Sequence, residues 1–260
     1  MLGAIIGDII GSRFEFNNTD STDFDLFTPE CSFTDDTVCT IAIADALLRG
    51  INSKDSLLSW CKRYPNPMGG YGASFARWIH SFDHQPYNSF GNGSAMRVAP
   101  IGWWYDGLVE RAAEETASCT HDHPEGIKGA KAVAVAIREL SKHKDLSHLA
   151  RHIDFFYYPG FMKADYTKIK GVFNETCQGT VPLCIWIVCT STSFEDAIRK
   201  AISWGGDSDT IGAIVGSMAE AAFGIPDSIV HKALEYLDRA QLRVVLEFYY
   251  WLSKYEYEVR

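Results

Sequence analysis

Two short stretches carry the densest acidic chemistry in the chain. Phe33-Thr34-Asp35-Asp36-Thr37 sets two adjacent carboxylates between hydroxyls, just ahead of an apolar run from Val38 to Leu48. Far downstream, Gly205-Gly206-Asp207-Ser208-Asp209-Thr210 repeats that composition ahead of a second apolar run, Ile211 to Ile225. Each reads as an acidic loop opening a buried helix. Gathering Asp35, Asp36, Asp207 and Asp209 without a counter-ion is unfavourable, because two carboxylates about 4 Å apart repel by roughly 4 kcal/mol at an effective dielectric of about 20. A hard cation removes that penalty, and Mg²⁺ or Mn²⁺ takes the oxygen ligands that carboxylates, threonine hydroxyls and water supply. The competing reading is a pair of helix caps, Thr34 or Asp35 for one helix and Asp207 or Ser208 for the other. A cap needs one oxygen per helix start, whereas both loops hold two acids and a hydroxyl.

Other chemistry-bearing residues sit in glycine and histidine loops. Phe90-Gly91-Asn92-Gly93-Ser94-Ala95-Met96-Arg97 runs from a glycine-rich loop into an apolar segment. Backbone amides in such a loop suit phosphate oxygens, although a plain turn is the commoner meaning of the pattern. Thr120-His121-Asp122-His123-Pro124 sets two histidines at i, i+2. That is not the i, i+4 spacing of a helical zinc site and no third soft ligand is close in sequence, so solvated loop histidines are expected. Asp8 falls inside an apolar segment, as either a satisfied structural acid or a site residue. Glu15 lies seven residues on, two helical turns along the same face.

The elements that must position these groups are helical. Gly3, Gly7 and Gly11 recur every four residues and would line one helix face, against the strand preference of the neighbouring isoleucines. Residues 17–30 are polar and aperiodic and read as a loop. Val38 to Leu48 is apolar nearly all round, as in a buried helix. Asp55 to Trp60 reads as a shorter helix capped by Ser53, Pro65 to Gly72 as a loop, and Ala73 to Phe82 as amphipathic. Leu108 to Cys119, Pro124 to Leu140 and Phe194 to Trp204 have helical spacing, and Gln178 to Thr190 is a further apolar run. Ile211 to Phe223 carries Gly212 and Gly216 four apart, a second close-packing face. Ser141 to Lys170 reads as a lid or a surface excursion, Pro226 opens another helix, and a long segment to about Lys254 closes the chain. With about ten helical segments, little period-2 alternation and no linker or repeat, the expectation is one all-α domain over residues 1–260.

Composition narrows the function classes. The chain has 260 residues, 47% hydrophobic and 22% charged, enough for a full core. No apolar run approaches the roughly 20 residues of a membrane span. The N-terminal segment has no basic region and meets an acid early, a poor signal peptide. A net charge of -9 disfavours a nucleic-acid partner, which calls for a basic stripe. Seven cysteines form no C-x-x-C pair, and Cys39, Cys184 and Cys189 lie in apolar runs, so buried reduced thiols and a cytoplasmic setting are expected.

Taken in order, five motifs resemble those of the ADP-ribosylhydrolase family, of the dinitrogenase-reductase-activating glycohydrolase type. Gly7-Asp8-Ile9-Ile10-Gly11-Ser12-Arg13-Phe14-Glu15 is similar to its opening motif and Thr34-Asp35-Asp36-Thr37 to its first metal loop. Gly91-Asn92-Gly93-Ser94 resembles its ADP-ribose loop, Thr120-His121-Asp122-His123-Pro124-Glu125 its histidine segment, and Gly205-Gly206-Asp207-Ser208-Asp209-Thr210 its second metal loop. The resemblance implies an all-α fold with a binuclear Mg²⁺ or Mn²⁺ centre in a cleft, held by Thr34, Asp35, Asp36, Asp207, Asp209 and Thr210. It places Glu15 in the cleft beside the metals, with Glu15 and Asp36 as the catalytic acids. Gly70, Tyr71, Gly72, Asn92, Gly93, Ser94 and His121 would line the ADP-ribose. The implied activity is cleavage of the glycosidic bond between ADP-ribose and a protein or small-molecule acceptor. Two alternatives stand beside it: a two-metal nucleotide phosphohydrolase, because binuclear oxygen cages serve that reaction too, and a non-catalytic member that binds ADP-ribose.

Overall fold

The computed structural model describes residues 1–105 and 107–258; Asp106, Val259 and Arg260 of the expected domain lie outside the described residues. The helices, in chain order, are Leu2–Gly11 (α1), Asp35–Arg49 (α2), Ser53–Arg63 (α3), Ala73–His80 (α4), Gly93–Met96 (α5), Ala99–Trp104 (α6) and Val109–Ala117 (α7). They continue with Pro124–His143 (α8), Leu146–Phe156 (α9), Cys177–Cys189 (α10), Phe194–Trp204 (α11), Ser208–Phe223 (α12), Asp227–Leu234 (α13) and Arg239–Glu258 (α14). Among the described residues there is no strand, only isolated bridges between Thr34 and Met68 and between Gly91 and Thr176. The all-α expectation holds. The expected tally of about ten fell short because α5 and α6 are too brief to show a 3.6-residue period. The stretch expected as a lid or excursion folds instead into α9 and two 3₁₀ turns, Phe161–Lys163 and Tyr166–Ile169.

At the centre lie α1 and α12, and every residue of α1 is buried. The glycine spacing resolves as a helix, and its purpose is visible in the contacts. A methyl at Gly3 would collide with the Gly216 carbonyl, one at Gly7 with the Gly212 carbonyl, and one at Gly11 with the Ser208 carbonyl. The pairs run in opposite directions along the chain, so the two helices are antiparallel with their backbones in contact. Dispersion between backbones at such short range replaces side-chain packing. The free amides at the start of α1 are satisfied from outside: Leu2 N donates to Tyr249 Oη and Gly3 N to Glu220 Oε2, both at 2.8 Å.

Around this pair the caps follow local chemistry. Thr34 caps α2, and Gly50 ends it at φ 63° with its amide turned back onto the last carbonyls. α3 is capped by Asn52, whose Oδ1 accepts from Lys54 N at 2.8 Å, not by the expected Ser53, which is the first helical residue. α8 opens on Pro124 with the His123 ring as its cap. One continuous apolar core links these helices. No helix among the described residues is long and apolar enough to cross a membrane.

The α1–α12 contact predicts an asymmetric response to single methyl groups. Gly7→Ala should lower unfolding free energy by about 3 kcal/mol or more, since neither backbone can retreat. Gly107→Ala, in open space, should stay within about 0.5 kcal/mol of the parent. Denaturant titration of both variants checks the contrast.

Candidate active site

The antiparallel α1–α12 pair brings the start of α12 beside the end of α1, and the two acidic loops meet there. Asp35, Asp36, Asp207, Asp209 and Thr210 share the wall of one open cavity of about 450 Å³ with Glu15 and Glu175. Thr210 Oγ1 donates to Asp36 Oδ2 at 3.3 Å, joining the loops directly. Asn92, expected as a substrate contact, lines the same cavity and clamps an acid: its Nδ2 donates to Asp207 Oδ2 at 2.6 Å.

Asp8 lies beneath this wall, fully buried, and is the structural acid of the two readings. Its carboxylate accepts from Thr34 N and Thr37 N, both at 3.0 Å, and from Thr34 Oγ1 at 2.7 Å. Thr34 is also fully buried and off the cavity wall, and its Oγ1 accepts from Asp36 N at 3.2 Å. The capping reading is therefore correct for Thr34, whose oxygen keeps one lone pair free. It does not explain Asp207, which precedes α12 without a side-chain capping bond.

The acids are gathered without protein cations. Among the described residues no Lys, Arg or His stands within ion-pair distance of Glu15, Asp35, Asp36, Glu175, Asp207 or Asp209. Burial, and then the charge of Asp8, pushes Asp35 and Asp36 well above the ordinary carboxylate range. Burial, and then Asp207, does the same to Asp209. Glu15 is pushed up to about 7 by burial, then by Asp207, Asp8 and Glu175. Asp36 Oδ1, Asp209 Oδ1 and Glu15 Oε2 are buried with no hydrogen-bond partner. Unpartnered carboxylate oxygens with raised proton affinity are what a hard divalent cation would satisfy, so the donor set fits Mg²⁺ or Mn²⁺. The aspartates line the wall without closing into a cage, since no three of them bring ligand oxygens within 4.8 Å of one another.

The remaining expected residues fall around the same cavity with one exception. Gly70, Tyr71, Gly72 and Gly93 line it. Ser94 is buried off the wall, its hydroxyl donating to Gly126 O at 2.8 Å. Gly69 has φ 74°, and a methyl there would stand 2.5 Å from Glu15 Oε2, so this left-handed glycine makes the room that Glu15 occupies. His121 is not a solvated loop histidine. It is buried on the cavity wall, and burial followed by the charge of Arg97 lowers its pKa well below the usual value, keeping it neutral. Its Nδ1 lies 2.7 Å from Thr120 Oγ1, which also accepts from Arg97 Nη2 at 2.8 Å. His123 is the helix cap already described, its Nδ1 accepting from Glu125 N at 3.1 Å.

The sequence profile of the ADP-ribosylglycohydrolase family matches residues 1–254. The chain belongs to the ADP-ribosylglycohydrolase family. It is a hydrolase acting on the glycosidic bonds of ADP-ribose. It is similar to ADP-ribosylhydrolase ARH3 of Mus musculus, 26% identical with 88% of this chain and 84% of that one covered. It is also similar to the ADP-ribosyl-[dinitrogen reductase] glycohydrolase of Rhodospirillum rubrum, at 23% with 87% and 85% covered. A protein of Archaeoglobus fulgidus is 34% identical over 154 residues, 52% of this chain and about half of the other. A solved structure titled ADP-ribosylglycohydrolase-related protein complex shares the fold at TM-score 0.74 and 24% identity, over 95% of this chain and 96% of its own.

Several residues of this glycohydrolase cavity escaped sequence reasoning. Phe16 and Phe173 stack at 6.2 Å on its rim, 77% and 46% exposed, from segments with no periodic pattern. Asn18, in the loop read as featureless, ties down the Gly205-Gly206 turn: its Oδ1 accepts from Gly206 N at 2.8 Å and its Nδ2 donates to Gly206 O at 2.9 Å. Glu175 had one available signal, its place just ahead of the capping Thr176 of α10.

The sign of the pH effect follows from Glu15. Its carboxyl titrates at about 7 in the fold against 4.5 when free, so between those values the folded state binds the extra proton and the unfolded state does not. Stability of the metal-free glycohydrolase therefore falls as pH rises through that window, and the raised Asp36 and Asp209 act in the same direction. Thermal denaturation in chelator should show a melting temperature that drops with pH. Mg²⁺ or Mn²⁺ should restore it most at the alkaline end. A flat profile in chelator would remove the electrostatic account.

Proposed function

We propose that this glycohydrolase is metal-dependent and releases intact ADP-ribose from an acceptor by breaking the bond at C1 of the distal ribose. The observation that carries the reading is the convergence of unpaired buried acids from both ends of the chain on a cavity also lined by the glycine loops and His121. Asp35, Asp36, Asp207, Asp209 and Thr210, with Thr34 behind them, would hold two Mg²⁺ or Mn²⁺. Bound there, the pair would supply Lewis acidity toward the ribose hydroxyls and toward water.

The chain's own groups account for the rest. Glu15 is the general acid–base: its Oε2 is buried without a partner on the wall it shares with the aspartates, free to take a proton and return it. Asp36 is set by Thr34 and Thr210 and orients the attacking side. The Gly93 end of the third loop receives the diphosphate through backbone amides, with Asn92 and the buried Ser94 holding that loop in place. His121, neutral and with Nε2 close to the Gly91 and Gly93 backbone, meets the ADP moiety beside it. Gly70, Tyr71 and Gly72 line the same cavity. Acceptors are ADP-ribosylated protein side chains or small ADP-ribose conjugates, since the cavity is open and its rim is aromatic, and the working compartment is the cytoplasm.

Glu15→Gln should bind metal as the parent does and lose turnover by roughly 10²- to 10⁴-fold. Near-normal turnover with intact metal would reassign the acid–base role. Asp209→Ala should lose the Mg²⁺- or Mn²⁺-dependent rate; unchanged activity in chelator would sink the metal claim. Product analysis by chromatography separates the bonds: intact ADP-ribose marks glycoside cleavage, whereas AMP or phosphate would show a phosphohydrolase.

A further inference from the structure

A second cluster of ligating side chains stands outside the cavity, on the hairpin of α8 and α9. α8 ends at His143, Lys144 turns the chain at φ 51°, and Asp145 caps α9 by accepting from His148 N at 2.9 Å. His148 and His152 are separated by four residues on α9 and so share one helix face. Glu139 faces them from α8. His148 Nε2 lies 3.2 Å from Glu139 Oε2. One ligand atom from each of Glu139, His148 and His152 falls within 4.8 Å of the other two. None of the three lines the cavity of the carboxylates.

An ion pair explains only part of this arrangement. It uses Glu139 and His148, and leaves His152 without a hydrogen bond to its ring nitrogens among the described residues. The His152 ring packs 4.9 Å from the ring of Phe156 and 6.2 Å from that of Tyr157. We infer that Glu139, His148 and His152 form a zinc site that staples α8 to α9, separate from the catalytic cavity. Ligands on a tetrahedral zinc stand roughly 3.3 Å apart, given bonds of about 2.0–2.1 Å. The His148–Glu139 pair already has that separation, and His152 reaches it by side-chain rotation at a partly exposed site. Two imidazoles and one carboxylate select a borderline divalent ion over Mg²⁺, which takes oxygen, and leave a fourth position to water. His143 stands beside the site, its ring 6.2 Å from that of His148. The staple would act on the segment that follows α9, which leads to Phe173 and Glu175 on the cavity rim.

The test uses the chelator-stripped full chain in excess Mg²⁺, which keeps the carboxylate cavity filled, titrated with Co²⁺ and then Zn²⁺. One equivalent of Co²⁺ should give the visible absorption of a low-coordinate imidazole site, and Zn²⁺ should abolish it by displacement. The signal should vanish in His148→Gln/His152→Gln, weaken in Glu139→Gln, and persist in Asp209→Asn. Zn²⁺ should raise the melting temperature of the parent and of Asp209→Asn, and leave the double variant unmoved. Circular dichroism without metal confirms that the double variant folds, and His152→Gln alone serves the same comparison if it does not. A Co²⁺ signal retained without the two histidines, or lost in Asp209→Asn, overturns the site. Because the readouts are metal binding and melting, they stand whether or not the proposed glycohydrolase mechanism does.

Discussion

Backbone contact between α1 and α12 is the constraint from which the site follows. Gly3, Gly7 and Gly11 on one helix meet Gly216, Gly212 and Ser208 on the other with no side chain between them. The contact fixes the axial register of two helices far apart in sequence, and with it three acids. Asp8, on α1, is held where its carboxylate satisfies the amides at the start of α2. Asp207 and Asp209, at the start of α12, are delivered beside that same helix start. Register, more than any single hydrogen bond, makes the two acidic loops neighbours.

That placement creates an electrostatic burden that the protein leaves unanswered by its own cations. The helix starts of α2 and α12 offer partial positive charge to the loops, Asn92 and Thr210 donate to the carboxylates of Asp207 and Asp36, and Asp8 with Thr34 fixes the backbone at the start of α2. Those interactions hold the acids in position without neutralising them, as the raised proton affinities of Asp36, Asp209 and Glu15 show. A fold stable enough to hold several buried acids together keeps a strong standing affinity for cations, whether protons or metal ions. The same property makes stability depend on pH through the very side chains proposed to hold metal and to move the proton.

The other half of the cavity is built differently. Arg97, Thr120 and His121 form a buried chain, in which Thr120 Oγ1 accepts from Arg97 Nη2 and lies against His121 Nδ1. Phe16 and Phe173 stack on the rim from segments that belong to no helix. Glu139, His148 and His152 lie off the cavity wall, although the start of α8 supports it through the Ser94–Gly126 hydrogen bond.

The sequence alone determined the helical class, the glycine faces of α1 and α12, the acidic loops as helix starts, and through motif order the ADP-ribosylglycohydrolase family. These are local or linear properties: period, cap chemistry and the succession of motifs. Only tertiary structure decided that Asp8 supports while Asp36 faces the cavity, although both are acids beside apolar runs. It put His121, which local spacing left in a solvated loop and the motif resemblance put on the ligand, into a buried cavity wall, and gave Asn18 and Gly69 their work on the Gly205-Gly206 turn and on Glu15. It also brought Glu139 to His148 and His152, whose i, i+4 spacing was legible but whose third ligand lies across a helix hairpin. In each case the deciding quantity is burial or a contact between distant segments, and neither is encoded in the neighbours of a residue along the chain.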